Sequence, residues 1–252
     1  MENKNFLSNM QDLLPSVNDT PYKRILAIGD VHGRFTRLMD LWEKISVTDE
    51  DLVIFLGDYV EGGNENLKVL SWLIEQNEKD NIVVLCGNVD DMLFNSFTPS
   101  FISYMGEKDL DTLKELVEAA RTDSTVTKKV HHFIKELPFS YVVKVSGRDY
   151  IFCHGGINPK ISFAKQTQRD LLWSNRNFYT EYEGEAVMVV GHQSPRRVMK
   201  GLLPHCEELN TTKPARIPGR NILLMDTSAK EAEGFLSCVD ILTGEFWQSN
   251  KI

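Results

Sequence analysis

The sequence predicts an α/β fold built around a parallel β-sheet, and three observations support this class. Short apolar runs rich in Ile, Val and Leu occupy residues 24–30, 51–58 and 81–88, and each ends in glycine followed by a polar residue. Runs of this length and composition are typical of strands that are buried on both faces. Between them, residues 34–46 and 64–78 carry apolar side chains at intervals of three and four, as amphipathic helices do. The alternation of strands with helices indicates βαβ units, whose strands run parallel.

The rest of the chain predicts a helical insertion and a second group of strands. Residues 89–137 carry a mixed-charge helical pattern and no convincing strand, so we expect a helical insertion that lies as a cap over the carboxyl edge of the sheet. A terminal hairpin is expected, preceded by strands at residues 140–146, 149–155, 186–192 and 221–227. We therefore divide the chain into a polar N-terminal arm, residues 1–23, and one domain, residues 24–252.

Charge and composition exclude several classes of partner. The formal net charge is −8, so the chain lacks the protein-wide cationic field that would favour nucleic acid. No apolar run approaches the roughly 18 residues that span a bilayer, and the first residues lack the basic and apolar regions of a signal peptide. The four cysteines are scattered without a CxxC pair, which favours free thiols in a reducing cytoplasm. We expect a cytoplasmic protein that binds neither nucleic acid nor membrane, and its oligomeric state is left open.

Polar residues follow five of the predicted strands at the point where the chain leaves the sheet. They are Asp30, Asp58, Asn88, His154 and His192. The loops beyond the carboxyl ends of parallel strands form the ligand crevice of open α/β sheets, so these side chains can converge. His32 joins them through the glycine-flanked turn of residues 29–33, where an extended backbone would point residues 30 and 32 the same way.

These six side chains offer carboxylate, imidazole and amide oxygen as ligands, without thiolate. Such a set suits a divalent metal ion such as Mn, Fe, Zn or Ni. Two ions that hydrolyse a phosphate ester lie about 3.5–4 Å apart, and one carboxylate must bridge them. Each residue taken alone is more often a helix cap, a turn residue or a structural histidine. Six of them at equivalent strand ends favour a metal centre instead.

The motifs around these residues resemble those of a known enzyme family. The segments read GDVHG, GDYVEGG, GNVD, HGG and GH in chain order, at residues 29–33, 57–63, 87–90, 154–156 and 191–192. They resemble GDxHG, GDxVDRG, GNHE or GNHD, HGG or HAG, and GH of the phosphoprotein phosphatase branch of calcineurin-like metallophosphoesterases. That branch includes bacterial Ser/Thr phosphatases and diadenosine tetraphosphatases. The resemblance implies a sandwich of two mixed β-sheets flanked by helices, with the insertion as a helical cap.

The resemblance also implies a role for each residue. It places Asp30, His32 and Asp58 on one metal ion, and it makes Asp58 the bridge to a second ion held by Asn88, His154 and His192. Manganese is favoured, with iron, zinc or nickel as alternatives, and the two ions would activate a water for attack on phosphorus. The segment RDLLWSNRNFY, residues 169–179, resembles a stretch in which an arginine holds the substrate phosphate. This nominates Arg176 as a catalytic residue, with a surface ion pair as the alternative.

Three departures from the family pattern concern the leaving group and the phosphate. The histidine of GNHE, thought to protonate the leaving group, is Val89, and its aspartate partner is Glu61. The phosphate-binding arginine that follows is Gly62. General acid catalysis typically contributes about 10²–10⁴-fold, so its loss disfavours poor leaving groups such as serine. Glu61, one methylene longer than aspartate, is itself a candidate acid.

The leading function predicted from the sequence is metal-dependent hydrolysis of phosphate monoesters or phosphoanhydrides. The expected substrates are a phosphorylated small molecule, a nucleotide or a phosphoprotein, and Val89 shifts the expectation away from phosphoserine. The alternative is a catalytically weakened pseudo-phosphatase that binds metal and phosphorylated ligands as a regulatory module.

Overall fold

The computed structural model describes residues 13–15, 19–97, 111–173 and 175–251. Its strands are β1 Arg24–Ile28, β2 Asp51–Phe55, β3 Ile82–Val84, β4 Ser140–Val145, β5 Arg148–Cys153, β6 Val187–Val190, β7 Ala215–Arg216, β8 Ile222–Leu224, β9 Ser237–Asp240 and β10 Phe246–Gln248. Its helices are α1 Phe35–Ile45, α2 Asn66–Gln76, α3 Asn88–Ser96, α4 Asp111–Ala120, α5 Val126–Glu136, α6 Gln168–Leu172, α7 Arg176–Glu181 and α8 Pro195–Gly201. Two short 3₁₀ turns, Phe163–Lys165 and Glu207–Leu209, complete the described elements.

The ten strands form two mixed sheets of five strands each. The first sheet has the order β10-β9-β1-β2-β3, in which β1, β2 and β3 are parallel, β9 is antiparallel to β1, and β10 is antiparallel to β9. The second has the order β4-β5-β6-β8-β7, with β5, β6 and β8 parallel and the two edge strands antiparallel. Each sheet therefore contains three neighbouring parallel strands whose carboxyl ends lie at one edge.

The two sheets pack face to face around an apolar core, with helices on both outer faces. Alternate residues of each strand divide between these layers, because successive side chains in a strand point to opposite faces. Ile25 of β1 and Phe152 of β5 belong to the core between the sheets. Leu26 of β1 packs instead with α1 and α2, and Cys153 of β5 packs with α7 and α8. The predicted fold class, two mixed sheets flanked by helices, is confirmed.

The described part of the insertion extends the helical layer of the first sheet. Leu93 of α3, Leu116 of α4 and Phe133 of α5 share one core cluster with Val69 and Leu73 of α2. The middle of the predicted insertion, residues 98–110, lies outside the described residues, so the prediction that it caps the carboxyl edge stays a prediction.

The N-terminal arm contributes to the domain where the structure describes it. The side chain of Leu13 is 1% exposed within the core between the sheets, and its carbonyl accepts a hydrogen bond from the hydroxyl of Tyr150 at 2.8 Å. Asp19 accepts a hydrogen bond from the main-chain N–H of Ser146. The boundary predicted at residue 24 stays a prediction.

Sequence patterns missed the strand β7 and the helices α6, α7 and α8. The strand β7 covers two residues and α6, α7 and α8 cover five to seven, which is too short for a periodic pattern to be recognised. In the part of the chain that the structure describes, no helix combines the length and the apolar character needed to cross a membrane.

Candidate metal centre

The six predicted ligands lie together at the edge where the parallel strands of both sheets end. Asp30, Asp58 and Asn88 follow β1, β2 and β3, whereas His154 and His192 follow β5 and β6. Five of the six side chains belong to residues that are at most 6% exposed, and His192 is half-buried. Polar groups buried at this density need partners that compensate for lost hydration.

Four of the ligand atoms converge on one point. Oδ1 of Asn88 lies 2.8 Å from Nε2 of His154 and 2.7 Å from Nδ1 of His192. Oδ1 of Asp58 lies 3.3 Å from the same Nε2 of His154. The ligand atoms of Asp58, His154 and His192 all fall within 4.8 Å of one another, which is the arrangement of side chains around a single cation.

A second group of ligand atoms shares Asp58 with the first. The carboxylates of Asp30 and Asp58 and the imidazole of His32 also offer atoms within 4.8 Å of one another. Nε2 of His32 lies 3.8 Å from Oδ2 of Asp30. Asp58 is thus the one residue common to both groups among the residues that the structure describes.

Main-chain carbonyls determine which nitrogen of two histidines faces the centre. Nδ1 of His32 lies 2.8 Å from the carbonyl oxygen of Glu61, and Nδ1 of His154 lies 2.9 Å from that of Leu56. A carbonyl oxygen only accepts, so Nδ1 donates in both cases, and when the ring is neutral the lone pair of Nε2 faces the carboxylates. Orientation of a ligating histidine by such a partner is typical of metal sites.

Three of the six ligands occupy left-handed backbone conformations. The φ angles are 52° at His32, 55° at Asp58 and 64° at His192. The extended backbone predicted at His32 is therefore wrong, and the tight turn is held by N–H groups of Val31 and His32 that both donate to the carbonyl of Asp58. Such conformations cost about 1–3 kcal/mol each and cluster at functional sites.

Two glycines allow the loops to approach each other closely. A Cβ atom at Gly87 would lie 2.1 Å from the main-chain nitrogen of Asp58, and one at Gly191 would lie 2.3 Å from Oδ1 of Asp30. Both distances are far below van der Waals contact, so a side chain at either position would displace a ligand.

Asp90 supports the centre and was missed by the sequence analysis. Its fully buried carboxylate accepts hydrogen bonds from the main-chain N–H groups of Asp58 at 2.8 Å, Tyr59 at 3.0 Å and Gly87 at 2.9 Å. Its position three residues after Gly87, at the start of α3, is where an acidic side chain caps a helix, and this was the available signal.

The charges of the centre are unbalanced in a way that a cation would correct. Burial, followed by the negative charge of Asp226, raises the pKa of Asp30 well above its usual range. Burial also opposes the charged form of His154, but the charge and hydrogen bond of Asp58 outweigh it and raise the pKa of His154 to about 10. Buried carboxylates that draw protons in this way are the environment in which divalent cations bind. The donor set, its geometry and its charge therefore fit divalent metal ions.

The residues that depart from the family pattern face different surroundings. The carboxylate of Glu61 accepts hydrogen bonds from the N–H groups of Asp111 at 3.1 Å and Thr112 at 3.0 Å, and from the hydroxyl of Thr112 at 2.5 Å. Glu61 thus holds the first turn of α4, while its carbonyl holds His32. Val89 packs against the helical layer, and its N–H donates to Oδ1 of Asp58 at 2.9 Å.

Arg176 lies at the start of α7, on a segment that borders the centre. Trp173, three residues before it, is 44% exposed, and its ring lies edge-to-face with that of His192 at 6.0 Å between centroids. Gly155, next to His154, packs against the backbone of Leu172 and Trp173. The side chain of Arg176 is exposed and makes no hydrogen bond or ion pair with another described residue.

Fold and site together define a metal-dependent phosphoesterase. The chain belongs to the calcineurin-like phosphoesterase family, whose sequence profile matches residues 23–217. The predicted family resemblance is thereby confirmed, as is the expectation of an enzyme that hydrolyses phosphoesters.

Individual relatives agree with this assignment. The chain is 25% identical to serine/threonine-protein phosphatase 2 of Salmonella typhimurium over 174 residues, which cover 67% of this chain and 75% of that protein. The crystal structure of a protein assigned as a diadenosine tetraphosphatase superposes with a TM-score of 0.61 at 16% identity, covering 92% of this chain and 95% of the other. A serine/threonine phosphatase of Saccharomyces cerevisiae gives a TM-score of 0.55 at 14% identity, with coverage of 95% and 83%. At these identities the two structures show the fold.

Proposed function

We propose that the chain hydrolyses phosphate monoesters or phosphoanhydrides at a centre of two divalent metal ions, with manganese as the favoured metal. The observation that carries this proposal is the double membership of Asp58, whose carboxylate belongs to both groups of ligand atoms. Asp30 and His32 would complete one site, and Asn88, His154 and His192 the other. Metal ions bound there would polarise a phosphate group and supply an activated water.

The chain's own residues would bind and orient the substrate. Arg176 starts a helix beside the exposed Trp173, and its guanidinium is free to form a fork of two hydrogen bonds with phosphate oxygens. The buried ligand set excludes solvent on the protein side of the centre. Phosphate would therefore enter from the face where His192 and Trp173 are accessible.

The leaving group is the part of the substrate that this site assists least. Val89 has no proton to donate, and the carboxylate of Glu61 is engaged with α4. We propose substrates whose leaving groups depart readily, such as aryl phosphates, nucleotides and dinucleoside polyphosphates, ahead of phosphoserine proteins. The alternative, in which Glu61 itself supplies the proton, requires its carboxylate to leave α4 during turnover.

The four free cysteines support a reducing compartment such as the cytoplasm as the place of action. Three of them are buried, and burial raises the pKa of the Cys153 thiol to about 12. A thiol held in this state is a poor nucleophile, so cysteine chemistry is not part of the proposed reaction.

The test is a turnover screen of the manganese-loaded protein. Its substrates are p-nitrophenyl phosphate, diadenosine tetraphosphate and a phosphoserine peptide, with His154→Ala as the disabled variant and the exposed His205→Ala as the matched control. We expect turnover of the first two substrates by the parent and by His205→Ala, and none by His154→Ala. An inactive parent at full metal loading would contradict the proposal and favour the regulatory module.

A further inference from the structure

The Cβ atom of Lys230 lies against Gly62. A Cβ atom placed on Gly62 would lie 2.8 Å from Cβ of Lys230 and 3.5 Å from Cβ of His32. The φ angle of Gly62 is 117°, a conformation that side chains rarely adopt. Position 62 therefore cannot carry a cation of its own, and a lysine 168 residues further along the chain lies against this glycine, which itself lies beside His32.

Two arginines hold the backbone of this lysine in place. Nη2 of Arg34 donates to the carbonyl oxygens of both Gly62, at 3.0 Å, and Lys230, at 2.9 Å, and so joins the two loops. Arg37, which is 2% exposed, donates through Nη1 to the carbonyl oxygen of Ala229 at 2.6 Å and to that of Gly234 at 3.1 Å. A segment clamped on both sides presents its side chain with little loss of conformational entropy on binding.

No carboxylate in the described part of the chain pairs with Lys230. It forms no ion pair there, although it is half-buried and the protein carries a net charge of −8. Glu233, a nearby acid, pairs with Lys251 instead. Leaving a partly buried ammonium without a counter-ion costs free energy, and an anionic ligand offsets that cost.

We propose that Lys230 binds a phosphate oxygen of the substrate and supplies the positive charge that Gly62 cannot. The inference rests on the proposed function in one respect, namely that the phosphate occupies the metal centre. A lysine is a compact point charge with three donors, whereas an arginine makes a planar fork. Lys230 would therefore hold a single non-bridging oxygen, from the side of His32 and Gly62.

The experiment compares Lys230→Met and Lys230→Arg with the parent. Lys128→Met is the matched control, because Lys128 is an exposed lysine of α5 whose loss changes the net charge equally. Equilibrium dialysis of manganese-loaded protein against radiolabelled inorganic phosphate gives the affinity, and elemental analysis gives the metal content. We expect phosphate to bind Lys230→Met roughly ten- to a hundred-fold more weakly, as for loss of a charge-assisted hydrogen bond. Lys230→Arg should recover most of the affinity, and Lys128→Met should match the parent.

Phosphate affinity in Lys230→Met equal to that of the parent, at equal metal content, would overturn the inference. Loss of metal from Lys230→Met would also overturn it, because it would assign the lysine a structural role. The dialysis does not depend on turnover, so a parent that binds phosphate through Lys230 without hydrolysing any substrate would refute the proposed function alone. A parent that turns over p-nitrophenyl phosphate with a KM unaffected by Lys230→Met would refute the role of Lys230 alone.

Discussion

The carboxylate of Asp90 accepts a hydrogen bond of 2.8 Å from the main-chain N–H of Asp58. Asp90 thereby fixes the backbone of the residue that is common to the two groups of ligand atoms. The same carboxylate receives the N–H groups of Tyr59 and Gly87, so three main-chain donors depend on one side chain. The positive φ of Asp58 persists because these contacts hold the loop on both sides.

Asp90→Asn should weaken the fold and the metal centre together. The amide group of asparagine accepts through one atom only, so at least one buried N–H loses its partner at a cost of about 1–3 kcal/mol. Denaturant unfolding and elemental analysis measure the two effects. Asp149→Asn, a change at a partly exposed residue paired with Lys144, is the control and should alter neither. An unchanged stability of Asp90→Asn would mean that the three amides find other partners.

Metal stoichiometry tests the shared ligand directly. Because Asp58 belongs to both groups, the parent should bind close to two equivalents of transition metal and Asp58→Ala should lose both. Asn88→Ala and His32→Ala each remove a ligand from one group only, and each should retain about one equivalent. Elemental analysis after incubation with manganese provides the measurement. A parent without metal, or with zinc on its cysteines, would disprove the centre.

Arg176→Ala should weaken phosphate recognition while leaving the metal content intact. The loss of a charge-assisted contact predicts a fall in kcat/KM of roughly ten- to a hundred-fold. Arg121→Ala, which removes the same charge from an exposed ion pair with Glu118, should have kinetics like those of the parent. Unchanged kinetics in Arg176→Ala would mean that this exposed arginine takes no part in phosphate binding.

The rate should depend steeply on the basicity of the leaving group. Val89 stands where the family has its proton donor, and the carboxylate of Glu61 is engaged with α4, so aryl phosphates and anhydrides should react and phosphoserine peptides should react poorly. A series of substituted aryl phosphates measures the slope. Val89→His should help alkyl substrates more than aryl ones, and a flat dependence in the parent would contradict the prediction.

Glu61→Gln separates the two roles considered for this glutamate. If Glu61 only anchors α4, Glu61→Gln should loosen that helix and leave much of the activity. Hydrogen exchange in Asp111–Ala120 and steady-state kinetics measure the two effects. If Glu61 is also the general acid, Glu61→Gln should in addition abolish activity. Glu75→Gln on the outer face of α2 is the control for the change of charge.

The sequence predicted the parts of the centre that local patterns encode. Asp30, Asp58 and His154 follow buried strands, and a strand has a period and a composition that can be read. No sequence pattern predicts the left-handed φ of His192, because residues other than glycine rarely adopt that conformation. The contact of Glu61 with Thr112 joins residues 51 positions apart, which no local pattern reveals.

The same limit applies to the replaced catalytic groups. In the sequence, Gly62 stands where the family pattern has an arginine, so a cation is missing. In the fold, Lys230 from the loop that follows β8 lies against Gly62. Val89 stands where the family pattern has the proton-donating histidine, and in the structure its side chain packs against the helical layer. Compensation between distant residues becomes visible only when the backbone places them together.

Glu61 accepts a hydrogen bond from His32 on its carbonyl oxygen and bonds from α4 on its carboxylate. Metal binding and the docking of the insertion are therefore linked equilibria. Linkage is reciprocal, so cations that order His32 should slow the opening of α4 by the same free energy with which a docked α4 tightens the cations. A molecule that binds the insertion without contacting the metal centre would then change the metal affinity of that centre.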